Sequence, residues 1–251
     1  MKKSFLTLKS SKTKCKKNIF GDLRLNILAI STTSTMGSIA IFKKNKIAFI
    51  SHSDVKITHS ERLLPQIDFG LQNCNLQISE IDAVATANGP GSFTGIRIGL
   101  ATAKGICVAN KIPLIPFNTL ELLAHNLSGT KRSILSIIDA KMGEIYAALY
   151  SNKHKEIIVP QNAKPTEFLH KIKEPVIFIG DGIEKYFAEI MDSGIDFQVA
   201  FPHQNIPLAS TMISIILKNK MPEYDFEIIS NLEPYYLRKS QAEITREERT
   251  K

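Results

Sequence analysis

Two acidic residues stand where strands are expected to end. Asp139 follows the apolar run 133–138, and Asp181 lies between Gly180 and Gly182 after the run 176–179. Carboxylates at neighbouring strand ends can order a hydrated magnesium ion or a ribose, while Asp and Gly after a strand are also ordinary turn formers; the sequence supports both readings. Thr32, in the polar turn after the first apolar run, is a third candidate contact for a cofactor. The stretch Asn88-Gly89-Pro90-Gly91-Ser92-Phe93-Thr94-Gly95 joins a predicted strand to a predicted helix, where phosphate-binding loops occur. Its spacing fits neither familiar code: no Lys follows Gly95, and three residues lie between Gly91 and Gly95 where the dinucleotide code has two. Pro90 also removes a backbone donor. The alternative role is a tight turn that lets the next helix pack closely.

Other chemistries find little footing. The six histidines show no H-x-x-x-H or H-E-x-x-H pair, so no helix presents two metal ligands on one face. Ser92 is followed two residues later by Thr94, which breaks a G-x-S-x-G elbow. Cys15, Cys74 and Cys107 have no C-x-x-C spacing and read as reduced thiols, the latter two in the core. No catalytic residue and no metal ligand is assigned.

The elements that must position these residues fall into two similar halves. Strands are predicted at 25–30, 38–42 and 46–51, then a helix from Ser60, which is placed to cap it, with Leu63, Leu64, Ile67, Leu71 and Cys74 at helical spacing. A strand at 81–87 and a helix at 96–110 follow. That helix carries Gly99, Ala101, Ala103 and Gly105; two glycines, each costing about 1 kcal/mol relative to alanine, imply close approach of another backbone. The second half repeats strand, turn, strand at 133–138 and 144–150, then a strand at 176–179 and a helix at 208–217. Met36-Gly37 and Met142-Gly143 occupy matching turns, a weak sign of duplication. Periodicity supports α/β with two lobes. The strand-turn-strand opening of each half suggests the actin-like ATPase (ASKHA) architecture, a mixed sheet flanked by helices in each lobe.

With 43% hydrophobic and 22% charged residues the chain can bury a core, and no apolar run reaches the roughly 20 residues that span a bilayer. The formal charge of +8 is concentrated in residues 1–24, which hold seven Lys and Arg24 against Asp22. This leader is read as disordered, either a solvated tail or a transit peptide. The first lobe is expected over 25–126, the second over 127–238, and a charged tail over 239–251.

Five segments carry a family resemblance: Leu28-Ala29-Ile30-Ser31-Thr32, His59-Ser60-Glu61-Arg62-Leu63-Leu64-Pro65, Gly89-Pro90-Gly91-Ser92-Phe93-Thr94-Gly95-Ile96-Arg97-Ile98-Gly99, Asp139-Ala140-Lys141-Met142-Gly143-Glu144-Ile145-Tyr146 and Pro234-Tyr235-Tyr236-Leu237-Arg238. In this order they closely resemble the TsaB (YeaZ) family. The resemblance implies a cytoplasmic accessory subunit, homodimeric in isolation, that pairs with a TsaD-like catalytic paralogue. With a TsaE-like ATPase, that pair supports threonylcarbamoyl transfer to the adenosine beside the anticodon of tRNA. It implies no cofactor of the subunit's own, any ATP or Mg²⁺ being bound mainly by the partners, and tRNA engaged through the complex. Relatives usually keep an Asp at the end of the first strand, where this chain has Ser31, whose neutral hydroxyl cannot order a hydrated metal. TsaD-like proteins carry a paired-His metal site, whereas the segment beginning His59-Ser60-Glu61 offers a single His. Spacing and resemblance together assign the partner surface to the two first-lobe helices, through Leu63, Leu64, Ile67, Arg97, Gly99, Leu100 and Lys104. A Gly99→Leu change is expected to block close helix approach there. Two competing functions are an actin-fold enzyme, a small-molecule kinase or glycoprotease-like peptidase, and direct RNA binding through the leader.

Overall fold

A computed structural model describes residues 25–54 and 59–238; the leader with Cys15 and the tail fall outside the described residues. Each lobe is built on a five-stranded mixed sheet. The first lobe opens with β1 (Ile27–Ser31), β2 (Met36–Lys43) and β3 (Lys46–Asp54), an antiparallel meander. Helix α1 (His59–Asn73) follows, with Ser60 inside it rather than capping it. Then come β4 (Ala83–Gly89), α2 (Phe93–Asn110) and β5 (Leu114–Asn118), with β4 parallel to both β1 and β5. Helix α3 (Thr119–His125) leads to β6 (Ser133–Lys141), β7 (Glu144–Tyr150), β8 (Glu156–Ala163), α4 (Pro165–Leu169), β9 (Val176–Ile179), α5 (Gly182–Lys185), α6 (Phe187–Asp192) and β10 (Phe197–Val199). Helices α7 (Ala209–Ile216) and α8 (Phe226–Asn231) close the order.

The sheet orders β3-β2-β1-β4-β5 and β10-β9-β6-β7-β8 are one topology used twice, with β6 in the place of β1 and β9 in the place of β4. This is the two-lobed actin-like arrangement, and the duplication lies in the strand order: Met36 and Gly37 open β2, whereas Met142 and Gly143 form the turn before β7.

Strand β1 is buried along its length because both faces are covered, the condition under which a strand reads as continuous apolar sequence. Leu28 and Ile30 join Ile39, Ile41 and Val84 against Leu63, Ile67 and Leu71 of α1 and Leu100, Ala103 and Cys107 of α2. On the other face Ile27 and Ala29 join Ala40, Phe42, Ala85 and Ala87 against Met212, Ile213 and Ile216 of α7. Likewise Leu120, Leu123 and Ala124 of α3 cover Ile134, Ile138 and Ala148 of the second sheet. The layer between the lobes is therefore made by α3 and α7.

This packing moves a boundary. The second sheet is complete by residue 199, and α7 and α8 return to the first lobe, with Ile229 buried in its outer core. The sequence expectation that 127–238 forms the second lobe fails because nothing local in an apolar helix says which sheet it covers. Residues 233–238 then bridge the lobes. The Tyr235 N–H donates to the Asn88 carbonyl (2.7 Å), and Tyr236 stacks on Phe93 with ring centroids 4.6 Å apart. Leu237 packs into the core of the second lobe, and Arg238 pairs with Glu144 at 3.0 Å. Cys74 and Cys107 are buried free thiols, as expected from sequence.

Candidate functional site

The ends of β1 and β4 in one lobe face those of β6 and β9 in the other. Asp139 and Asp181 meet there: the Asp139 backbone N–H donates to Asp181 Oδ1 at 3.1 Å. Asp139 is committed further, paired with Lys141 (2.7 Å) and Lys185 (2.8 Å) and accepting from the Tyr186 hydroxyl (3.1 Å). Burial alone would raise its carboxyl, but the bonds from Lys141, Lys185 and Tyr186 outweigh it and hold Asp139 down at about 2. Asp181 moves the other way, pushed up by burial and by the charge of Asp139 against the pull of the Asp139 N–H. Asp181, Thr33, Thr119, Ile138 and Asn205 line a depression of about 10 Å³. That is about the room one water needs, against roughly 300 Å³ or more for a small-molecule pocket.

Other residues expected at the cleft are engaged with the protein itself. Thr32 is buried, and its hydroxyl donates to the Gly95 carbonyl at 2.6 Å; it ties β1 to α2 instead of facing a ligand. This corrects its expected place at a cofactor. Ser31 is fully buried, its hydroxyl without a hydrogen-bond partner among the described residues. It pairs in register with Ser38, whose hydroxyl accepts from the Ala209 N–H at the start of α7 (2.9 Å). In the loop after β4, Ser92 N–H donates to the Thr33 carbonyl, Gly95 N–H to Ser92 Oγ, and Ile96 N–H to the Ser92 carbonyl. A Cβ at Gly91 or Gly95 would run into the carbonyl of Thr33 or Thr32. The loop is thus a close-packing turn. Among the described residues no group of three or more His, Cys, Asp or Glu is placed to hold a metal ion, and no helix is long and apolar enough to cross a membrane.

The helix residues expected to face a partner divide sharply. Leu63, Ile67, Gly99 and Leu100 lie in the chain's own core, because the apolar stripe of a helix is what its own sheet buries. Arg97 is exposed yet engaged: its Nε–H donates to the Tyr236 hydroxyl at 2.8 Å, and its guanidinium lies 3.9 Å over Phe93. Lys104 donates to the Ser230 carbonyl of α8 at 2.9 Å. Leu64 points outward, 58% exposed. Sequence reasoning passed over the outward ridge of α2, Ala101, Gly105 and Val108. An added Cβ on Gly105 would have no heavy atom within 4 Å. The signal was present in the small residues noted on this helix, but Gly99, not Gly105, was taken as the surface position.

A second titratable cluster lies away from the cleft. His125, on α3, meets His154 edge to face with centroids 4.0 Å apart, and its Nδ1 has no protein partner. Burial, helped by the charges of His154 and Lys218, lowers His125 to about 4. As pH falls from 6.5 toward 4 the unfolded chain takes up a proton that the folded chain refuses, so stability drops across that window. A His125→Leu variant is expected to lose less melting temperature than the parent between pH 7 and pH 5. Asp139 loses its contribution only below 3.8, and Asp181 titrates in both chains, so the comparison isolates His125.

The family model described as TsaD, tRNA N6-adenosine threonylcarbamoyltransferase, matches residues 52–245. The tRNA threonylcarbamoyladenosine biosynthesis protein TsaB of Bacillus subtilis is 28% identical over 226 residues, covering 87% of this chain and 96% of the relative. TsaB of Buchnera aphidicola (subsp. Schizaphis graminum) is 32% identical over 169 residues, covering 63% and 80%. Among solved structures, YeaZ from Pseudomonas aeruginosa superposes with a TM-score of 0.67 at 21% identity, covering 85% of this chain and 100% of that one.

Proposed function

We propose, from the premise that this chain belongs to the TsaB family, that it serves as a non-catalytic partner of a TsaD-like protein in forming threonylcarbamoyladenosine beside the tRNA anticodon. The observation that carries the reading is coverage: the match spans 96% of the length of Bacillus subtilis TsaB. The cleft supports the non-catalytic part. Ser31 is fully buried beside Ser38, which holds the start of α7, Thr32 is turned into α2, and the depression beside Asp181 has room for about one water. ATP or Mg²⁺ used by the complex would be held mainly by the TsaD-like and TsaE-like partners. The partner face of this subunit is assigned to Leu64 of α1 and the ridge Ala101, Gly105 and Val108 of α2, which replaces the buried residues chosen from sequence. The same face would serve a homodimer in isolation, in the cytoplasm where tRNA is modified.

Mass spectrometry of digested tRNA from cells depleted of this protein tests the role. Threonylcarbamoyladenosine is expected to fall and to return with the intact chain; an unchanged level would overturn the assignment.

A further inference from the structure

We propose that the end of the second sheet opposite Asp139 and Asp181 is a docking surface for the phosphate backbone of RNA. The topology gathers four connections at this end. Residues 126–132 enter β6, 151–155 join β7 to β8, 170–175 enter β9 and 193–196 enter β10. The pairings Ile134 with Tyr150, Tyr150 with Glu156, Ser133 with Val176 and Val176 with Phe197 align their ends. These connections carry Lys131, Arg132, Lys153, Lys155, Lys171 and Lys173. The acidic residues in and beside these connections are Glu156, Glu174, Asp192 and Asp196, with Glu121 of α3 facing Glu156 and His154, so six cations stand against five acids.

Two of these acids are already occupied. Asp196 pairs with Arg132 at 2.8 Å, and Glu174 accepts from the Ser133 hydroxyl at 2.9 Å. Lys171 donates to Gln161. The ammonium groups of Lys131, Lys153, Lys155 and Lys173, all on exposed residues, have no hydrogen-bond or ion-pair partner among the described residues.

The frame beneath them is held firmly. Ser151 N–H donates to the Lys155 carbonyl, and Ser151 Oγ accepts from the N–H groups of Lys153 and Lys155. His154 Nε2 lies 2.9 Å from the Leu127 carbonyl, which fixes this turn to the connection before β6. Cations mounted on ordered turns lose less freedom when they meet a partner. A lipid surface fits poorly, because an interfacial anchor needs exposed apolar side chains and of the large ones in these connections Leu127 and Ile172 are buried and Ile195 is half-buried against the core. Repeated phosphates fit best, with affinity coming from counterion release. The choice of RNA as the polyanion rests on the proposed role in tRNA modification.

The test uses the full chain carrying Lys131→Glu, Lys153→Glu, Lys155→Glu and Lys173→Glu together, and a companion with the same four positions changed to Arg. Binding of a labelled tRNA transcript is titrated against salt. The Glu variant is expected to lower the slope of log affinity against log salt by about 3 and to weaken binding at least tenfold at physiological salt, at an unchanged melting temperature. The Arg variant is expected to keep the parent slope. The leader is present in every chain, so its lysines cancel. An unchanged slope in the Glu variant overturns the surface, as do equal losses in both variants or a parent that binds phosphatidylserine vesicles and not tRNA. The depletion experiment reads the proposed function separately: threonylcarbamoyladenosine unchanged there with a charge-dependent tRNA slope here would overturn the role and leave the surface standing.

Discussion

Replacing Gly105 by leucine is expected to leave the isolated chain folded and slightly more stable while disrupting its association with a TsaD-like protein. Gly105 lies on the outward ridge of α2, and a Cβ there meets nothing within 4 Å. Glycine inside a helix costs about 1 kcal/mol relative to good helix formers, so leucine should add about 0.5–1 kcal/mol of stability. Across an interface the same side chain holds the facing backbone away. Removing that close contact should weaken association tenfold or more, about 1.4 kcal/mol. Thermal melting of the chain and titration with the partner read the two effects separately. Equal affinity in parent and variant would move the partner face off this ridge.

Gly99→Leu should do the reverse. A Cβ at Gly99 would collide with the Thr32 hydroxyl, which is fixed by its bond to the Gly95 carbonyl. Overpacking at such a point costs about 3 kcal/mol, enough to lower the melting temperature by several degrees and to deplete folded protein. Loss of partner binding in this variant would report a damaged β1–α2 junction and not a missing contact. A parent-like melting curve for Gly99→Leu would show that the junction yields, contrary to the packing described.

The sequence disclosed the elements whose burial is one-sided or complete. Strand β1 is apolar throughout because helices cover both its faces, and Asp139 and Asp181 were readable because each follows an apolar run, although β6 continues through Asp139 to Lys141. Strand β8 was invisible: its residues are exposed or half-buried, and Pro160 interrupts it at a sheet edge where proline is tolerated. Strand β5, also an edge, hides behind Pro116, which has no N–H to donate to a ladder. Helical spacing identified Leu63, Ile67 and Leu100 correctly as apolar-face residues, but that periodicity marks the face a helix turns to its own core. A partner ridge of alanine, glycine and valine has no such signature. The return of α7 to the first lobe depends on contacts such as Ser38 with Ala209, 171 residues apart, and pattern within a short window does not encode them.

The position of α7 also orders events during synthesis. Residues 133–199 supply every strand of the second sheet, and α3, which covers its inner face, precedes them in the chain. The first sheet has all its strands by residue 118, yet Ile27, Ala29, Ala85 and Ala87 wait for Met212 and Ile213 to cover them. On the ribosome the amino-terminal lobe is therefore made first and finished last. Through more than ninety further residues of elongation its inner apolar face needs protection that the nascent chain itself has not yet produced.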